Sequence, residues 1–178
     1  TALADRLGDK RFMEVLREHN AIVREQIKAN GGFEVKSEGD GFMIAFQSAR
    51  KALECAIATQ KALAERNRGV WVEQRPDSSS KSEGGVAVAQ PLRASAEPVH
   101  VRMGLHSGEV IKEGSDFFGK NVILAARIAA QAHGGEILAS ALLKALVESS
   151  GDLTWGALRT AELKGLSGTH EIWPVQWS

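Results

Sequence analysis

The chain has 178 residues, 43% of them hydrophobic, and lysine plus arginine equals aspartate plus glutamate at 22 each. That length suits one domain with a core of ordinary size, and zero formal net charge excludes a general pull toward nucleic acid or an anionic membrane surface. Any anion must be held by local groups. No apolar run approaches the roughly 20 residues that span a bilayer, and the first residues lack the basic-then-apolar pattern of a signal peptide, so no direct membrane insertion by this segment is expected. Cys55 is the sole cysteine. It falls on the apolar side of a predicted helix and reads as a small core residue of a reduced, cytosolic protein.

In chain order, Phe12, Val15, Leu16, Ile22, Val23 and Ile27 recur at three and four, predicting an amphipathic helix over 10–30 closed by Gly31-Gly32. Residues 33–36 read as a strand, Glu38-Gly39-Asp40-Gly41 as a tight turn and 42–46 as a second strand, a β-hairpin with Asp40 at its tip. A second amphipathic helix of about five turns covers 49–64. Residues 76–98 are rich in serine, glycine, alanine and proline and read as a flexible inserted loop. The stretch 99–111 alternates, interrupted by Gly104 and Gly108, which predicts a long strand or bent hairpin. A third helix is expected over 116–131, closed by Gly134-Gly135, then a short strand over 136–138. Ser140 caps a fourth helix through Val147, and 153–177 reads as strands around Lys164-Gly165. This is an α+β plan, an antiparallel sheet with helices on one face. A strand ahead of the first helix would complete a ferredoxin-like βαββαβ core with extra C-terminal strands and a helix. That strand is expected just ahead of Thr1.

Four segments carry polar groups with chemical potential. In Lys36-Ser37-Glu38-Gly39-Asp40-Gly41 a cation on a strand precedes a carboxylate beside glycines, whose small size lets a phosphate or metal approach the backbone. Aspartate at such a tip is also an ordinary turn former. In the segment from Asp116 to Arg127, Arg127 stands within an apolar helix, where a permanent charge needs an anionic partner or a stem that snorkels to water. Arg102-Met103-Gly104-Leu105-His106-Ser107-Gly108 and Leu163-Lys164-Gly165-Leu166 each set a cation near glycine. His106 reads as a satisfied strand histidine, because no second histidine or cysteine lies at metal-ligand spacing.

These four segments, with the opening Thr1-Ala2-Leu3-Ala4, resemble the catalytic domain of class III adenylyl and guanylyl cyclases, nearest to bacterial adenylyl cyclases with one catalytic domain per chain. The similarity covers nearly the whole of 1–178 apart from the 76–98 insert. It implies a cyclase domain that converts ATP to 3′,5′-cyclic AMP and pyrophosphate. Asp40 resembles the second of two aspartates that hold two Mg2+ or Mn2+ ions against the triphosphate. The first is expected upstream of Thr1. Arg127 resembles the arginine that meets the α-phosphate in the transition state, while Lys164 and Arg102 resemble residues that hold the outer phosphates. Lys36 and Asp116 match the base-selecting pair. Their ammonium donor and carboxylate acceptor complement adenine N1 and N6 and would be mispaired by guanine. In the family, metal-binding groups come from one chain and base-selecting and arginine groups from the other, so the resemblance implies a head-to-tail homodimer.

Two departures from the family pattern stand out, the first metal aspartate, which is not among these residues, and Ile123. Ile123 stands where an asparagine is usual one turn before the arginine, and isoleucine cannot hydrogen-bond ribose or phosphate. Asn121, two residues earlier, projects about 200° away around the helix and cannot take over. Slower turnover is expected, and a degenerate cyclase domain that only binds nucleotide or dimerises is the competing reading. An RNA-binding module on the same plan would need exposed strand aromatics and a basic face. Neither is present, since Trp155, Trp173 and Trp177 read as core or interface.

Overall fold

The computed structural model describes residues 2–73 and 97–178, so all but the last two residues of the 76–98 insert lie outside the described residues. Helix α1 (Ala2–Leu7) breaks at Gly8 and is followed by α2 (Asp9–Ala29). The buried stripe of α2 is Val15, His19, Val23 and Ile27, the three-and-four pattern of an amphipathic helix. Strands β1 (Phe33–Glu38) and β2 (Gly41–Ala45) form an antiparallel hairpin. Helix α3 (Ala49–Glu73) is longer than its apolar stripe predicted. On its extension, the buried Asn67 side chain donates to Val99 O at 2.8 Å and accepts from Val99 N at 2.9 Å, tying α3 to the chain ahead of β3.

Residues 99–111 do not form one long strand. Only β3 (Met103–Leu105) is regular there, and Ile111 opens a separate hairpin of β4 (Ile111–Glu113) and β5 (Asp116–Phe118). The third helix likewise starts later than expected, as α4 (Lys120–Gln131), so Asp116 belongs to a strand. Phe117 and Phe118 favour the extended chain, and Gly119 at φ 119 makes a break that residues with a β-carbon resist. The short strand is β6 (Ile137–Ser140), followed by α5 (Ala141–Val147). Ser140 is its cap as predicted, the Oγ accepting from Leu143 N at 3.2 Å. The tail forms β7 (Thr154–Trp155), β8 (Arg159–Glu162) and β9 (Thr169–Gln176), with Lys164-Gly165 in the β8–β9 turn.

The main sheet runs β3-β6-β9-β7, with β8 also on β9. Its pairs are antiparallel except β3 with β6, which are parallel. The intervening α4 supplies the crossover that a parallel pair requires. All four residues of β6 are buried, which places this strand at the centre of the core. Leu53 and Ala56 of α3 pack on one side with Leu143, Val147 and Val175. Ile128 of α4 packs with Leu138, Leu163 and Ile172. The tail tryptophans serve packing: Trp155 and Trp177 lie against the first cluster, and Lys144 Nζ sits 4.7 Å from the Trp173 ring centre, a cation–π arrangement. Cys55 is buried at 3% exposure and unpaired, and burial pushes its thiol pKa up.

Gly104 sets how closely α4 approaches the sheet. A β-carbon there would lie 2.1 Å from Ala129 N and 2.7 Å from Ala125 O, so only glycine lets the helix carrying Arg127 lie directly on β3. No helix among the described residues is long and apolar enough to cross a membrane.

Candidate functional site

The β1–β2 register shifts between Glu34 and Lys36, and such an irregularity re-aims side chains. Lys36 reaches the β4–β5 hairpin, where its Nζ donates to Asp116 Oδ2 at 3.0 Å. The other carboxylate oxygen accepts from the Phe117 amide at 2.8 Å. Lys36 first, and the Phe117 amide second, hold the Asp116 carboxyl below the usual aspartate range. Both side chains remain substantially exposed, at 48% and 32%. Water screens such a pair, which therefore adds little to stability and opens at small cost. Phe33 meets Phe117 edge-on, ring centres 6.4 Å apart, so the two hairpins also touch through carbon.

The structure brings a second pair of sequence-predicted residues together. Arg127 Nε donates to Lys164 O at 2.9 Å, tying the arginine of α4 to the β8–β9 turn. This bond uses one of the five N–H groups of the guanidinium and leaves the terminal nitrogens for an anion. The Lys164 side chain is exposed on the same turn.

Asp40 and Arg102 stand apart. Arg102 is exposed just before β3, and no hydrogen bond or ion pair among the described residues joins it to the other candidates. Asp40 is exposed in the β1–β2 turn, next to Gly39 at φ 61, a left-handed turn geometry suited to glycine. Among the described residues no group of three histidine, cysteine, aspartate or glutamate side chains could hold a metal by itself. A single carboxylate nonetheless fits Mg2+ or Mn2+, hard cations that take one or two carboxylates together with substrate phosphates rather than an all-protein cage.

Ile123 lies one turn before Arg127 and is 47% exposed, so an apolar side chain stands beside the arginine. Asn121 is committed elsewhere: its Nδ2 donates to Glu109 O at 2.7 Å and its Oδ1 lies 3.1 Å from His106 Nε2. His106 is satisfied as expected, though past the end of β3 rather than within it. Its other nitrogen lies 2.8 Å from Ser140 Oγ. Sequence reasoning did not connect His106, Asn121 and Ser140. Of the three, only Ser140 carried a sequence signal, as a helix cap; nothing local joined it to His106 or Asn121.

The fold thus sets a cation–carboxylate pair between two hairpins and an arginine tied to a basic turn. The chain belongs to the family of the adenylate and guanylate cyclase catalytic domain, whose family model matches residues 1–176. Among curated relatives, the adenylate cyclase of Mycosarcoma maydis is 38% identical over 135 residues, 70% of this chain and 5% of that protein. That of Neurospora crassa is 37% identical over 128 residues, 68% of this chain and 5% of that protein. The chain thus spans about one-twentieth of the length of these relatives. Among solved structures, an adenylate cyclase of Trypanosoma brucei, analysed in its monomeric state, superposes with TM-score 0.72 at 25% identity, covering 98% of this chain and 82% of that one.

Proposed function

We propose that this domain is an adenylate cyclase catalytic unit that converts ATP to 3′,5′-cyclic AMP and pyrophosphate in the cytoplasm, at the interface of a head-to-tail homodimer. The observation that carries the reading is the Lys36–Asp116 pair, an ammonium donor and a carboxylate acceptor held 3.0 Å apart. Adenine can enter between them, taking a hydrogen bond at N1 from Lys36 and giving one from its 6-amino group to Asp116. Guanine would confront Lys36 with an N–H and Asp116 with O6, leaving both groups mispaired. The names of the fungal relatives support the same substrate.

In the reaction the ribose 3′-oxygen attacks the α-phosphorus, its proton passes to solvent, and the bond from that phosphorus to the bridging oxygen of the β-phosphate breaks, releasing pyrophosphate. Negative charge accumulates at the α-phosphate and on the leaving group. Arg127 would meet the first with its free guanidinium N–H groups, and Lys164 and Arg102 the second, which is charge stabilisation by groups already in place. Asp40 would be one of the two carboxylates that hold the divalent ions, two per site, whose charge would acidify the 3′-hydroxyl. The homodimer is supported by the exposed apolar groups of the two hairpins, Phe33 and the paired Ile111 and Phe118, at 45–62% exposure, which offer apolar surface to a partner.

Ile123 favours a second reading, a cyclase domain reduced to nucleotide binding or dimerisation, because the residue one turn before Arg127 is apolar and Asn121 is engaged with Glu109 and His106. The deciding experiment incubates the purified protein with ATP or GTP and manganese and quantifies cyclic nucleotide by chromatography. Cyclic AMP that disappears in Asp40→Ala and Arg127→Ala is the expected outcome. A folded dimer that forms no cyclic product would leave the binding reading in its place.

A further inference from the structure

A chain of hydrogen bonds runs from the core to the hairpin that bears Asp116. The Leu143 amide donates to Ser140 Oγ at 3.2 Å. Ser140 Oγ and His106 Nδ1 are 2.8 Å apart, His106 Nε2 and Asn121 Oδ1 3.1 Å, and Asn121 Nδ2 donates to Glu109 O at 2.7 Å. Because the Asn121 amide nitrogen is used on a carbonyl, its oxygen must accept, and His106 must carry its proton on Nε2. Nδ1 then accepts from the Ser140 hydroxyl, and every group in the chain is satisfied. Burial, foremost, and the neighbouring His170 push the His106 pKa down, in keeping with this neutral tautomer.

The last link closes a neck. Glu109 lies two residues before β4, Asn121 lies in the first turn of α4 after β5, and the hairpin between them turns at Gly114. Within it Ile111 pairs with Phe118 near the neck and Glu113 with Asp116 next to the turn. Besides the Phe33–Phe117 ring contact, side-chain hydrogen bonds hold the hairpin at two points, the Asn121–Glu109 bond at its neck and the Lys36–Asp116 pair near its tip. Gly108 passes so close beneath the Asn121 amide that a β-carbon there would lie 2.5 Å from Asn121 Cγ. A base that enters between Lys36 and Asp116 takes over the tip contact. The neck bond is then the remaining polar anchor of the Asp116 strand described by the structure.

We propose that Asn121, oriented by His106, is a positioning residue for base selection: its bond to the Glu109 carbonyl keeps Asp116 on target once substrate has opened the Lys36–Asp116 pair. The proposal rests on the reading of that pair as the adenine-selecting site.

The test compares the wild-type chain with Asn121→Ala and Asn121→Asp at about pH 8, where histidine is neutral, with manganese and either ATP or GTP. Asn121→Asp retains an acceptor for His106 but has no N–H for Glu109. Both variants are expected to exchange the amides of residues 111–118 faster and to lower the KM preference for ATP over GTP about tenfold, the usual scale of one lost hydrogen bond. The kcat for ATP should stay within about threefold, since Asn121 makes no transition-state contact. The nitrogen-15 spectrum of His106 should keep the Nε2–H tautomer in Asn121→Asp. Should Asn121→Ala fail to fold, Asn121→Asp carries the test. Wild-type preference for ATP retained in both variants, with only a lowered unfolding midpoint, would overturn the proposal alone. A wild-type chain that turns over both nucleotides without preference would overturn the base-selecting assignment and this proposal together.

Discussion

Lys36 of β1 and Asp116 of β5, 80 positions apart in the chain, meet at 3.0 Å between the two hairpins. Reversing their hydrogen-bonding character should reverse the choice of base. In Lys36→Glu/Asp116→Asn a carboxylate faces the guanine N–H and an amide N–H faces O6. Activity on ATP is expected to fall about 100-fold while GTP becomes the better substrate, because rejection by unpaired polar groups is strong. Competition between the two nucleotides, read as the ratio of cyclic products, measures this directly. An unchanged ratio would remove the pair from base recognition.

Asp40 is exposed on the β1–β2 turn and Arg127 lies on α4, and in a head-to-tail dimer each site draws one from either chain. Asp40→Ala and Arg127→Ala should each lose at least about 100-fold in kcat. Mixed in equal amounts, they should recover up to about one-quarter of wild-type activity, since half the dimers are mixed and each of those holds one intact site. Recovery that rises with protein concentration is the expected signature, and its absence from a proven mixed dimer would count against sites shared between chains.

Ile123 is half exposed beside Arg127, and Asn121 is engaged with Glu109 and His106. Ile123→Asn is therefore expected to raise kcat, by about 10-fold or more if one transition-state hydrogen bond is restored, with little change in KM. Single-turnover measurements would separate this gain from faster product release. No gain at all would show that Ile123 is not what limits turnover.

Glu136 accepts from Arg159 Nη2 at 2.6 Å and from His133 N at 2.8 Å, and chiefly through Arg159 its pKa is lowered to about 2. An unfolded glutamate has a pKa of about 4.3, so the unfolded chain takes up this proton first and the carboxylate favours the folded state. That contribution is complete above about pH 4.3 and fades as pH falls toward 2. Glu136→Gln should be less stable than wild type near neutrality, with a gap that closes across that acid window. Urea unfolding followed at several pH values checks it, and a gap that did not change with pH would show that the loss is one of packing rather than charge.

The second helix, the β1–β2 hairpin, the Ser140 cap and the strand-rich tail were legible because each announces itself locally, by apolar period, paired glycines or a capping hydroxyl. The region 99–119 is where expectation and structure differ: alternation over 99–111 predicts a long strand or bent hairpin, and the third helix is expected from Asp116, whereas that residue lies in β5. There the outcome depends on contacts made elsewhere in the chain. Gly104 has to admit Ala129, and Gly108 has to pass under Asn121.

The sequence by itself determined which kinds of group were available, namely a lysine and an aspartate in two polar segments, a charged residue on an apolar helix, and an isoleucine one turn before it. It did so because residue type and helical spacing are local quantities; the roles came only through resemblance to the cyclase family. Only the tertiary structure decided that Lys36 faces Asp116, that Arg127 is tied to the Lys164 carbonyl, and that Asn121 is spent on the neck of a hairpin. Those pairings join elements far apart in the chain, and their partners are selected by how α4 packs on β3 and how the two hairpins meet, which no local pattern encodes.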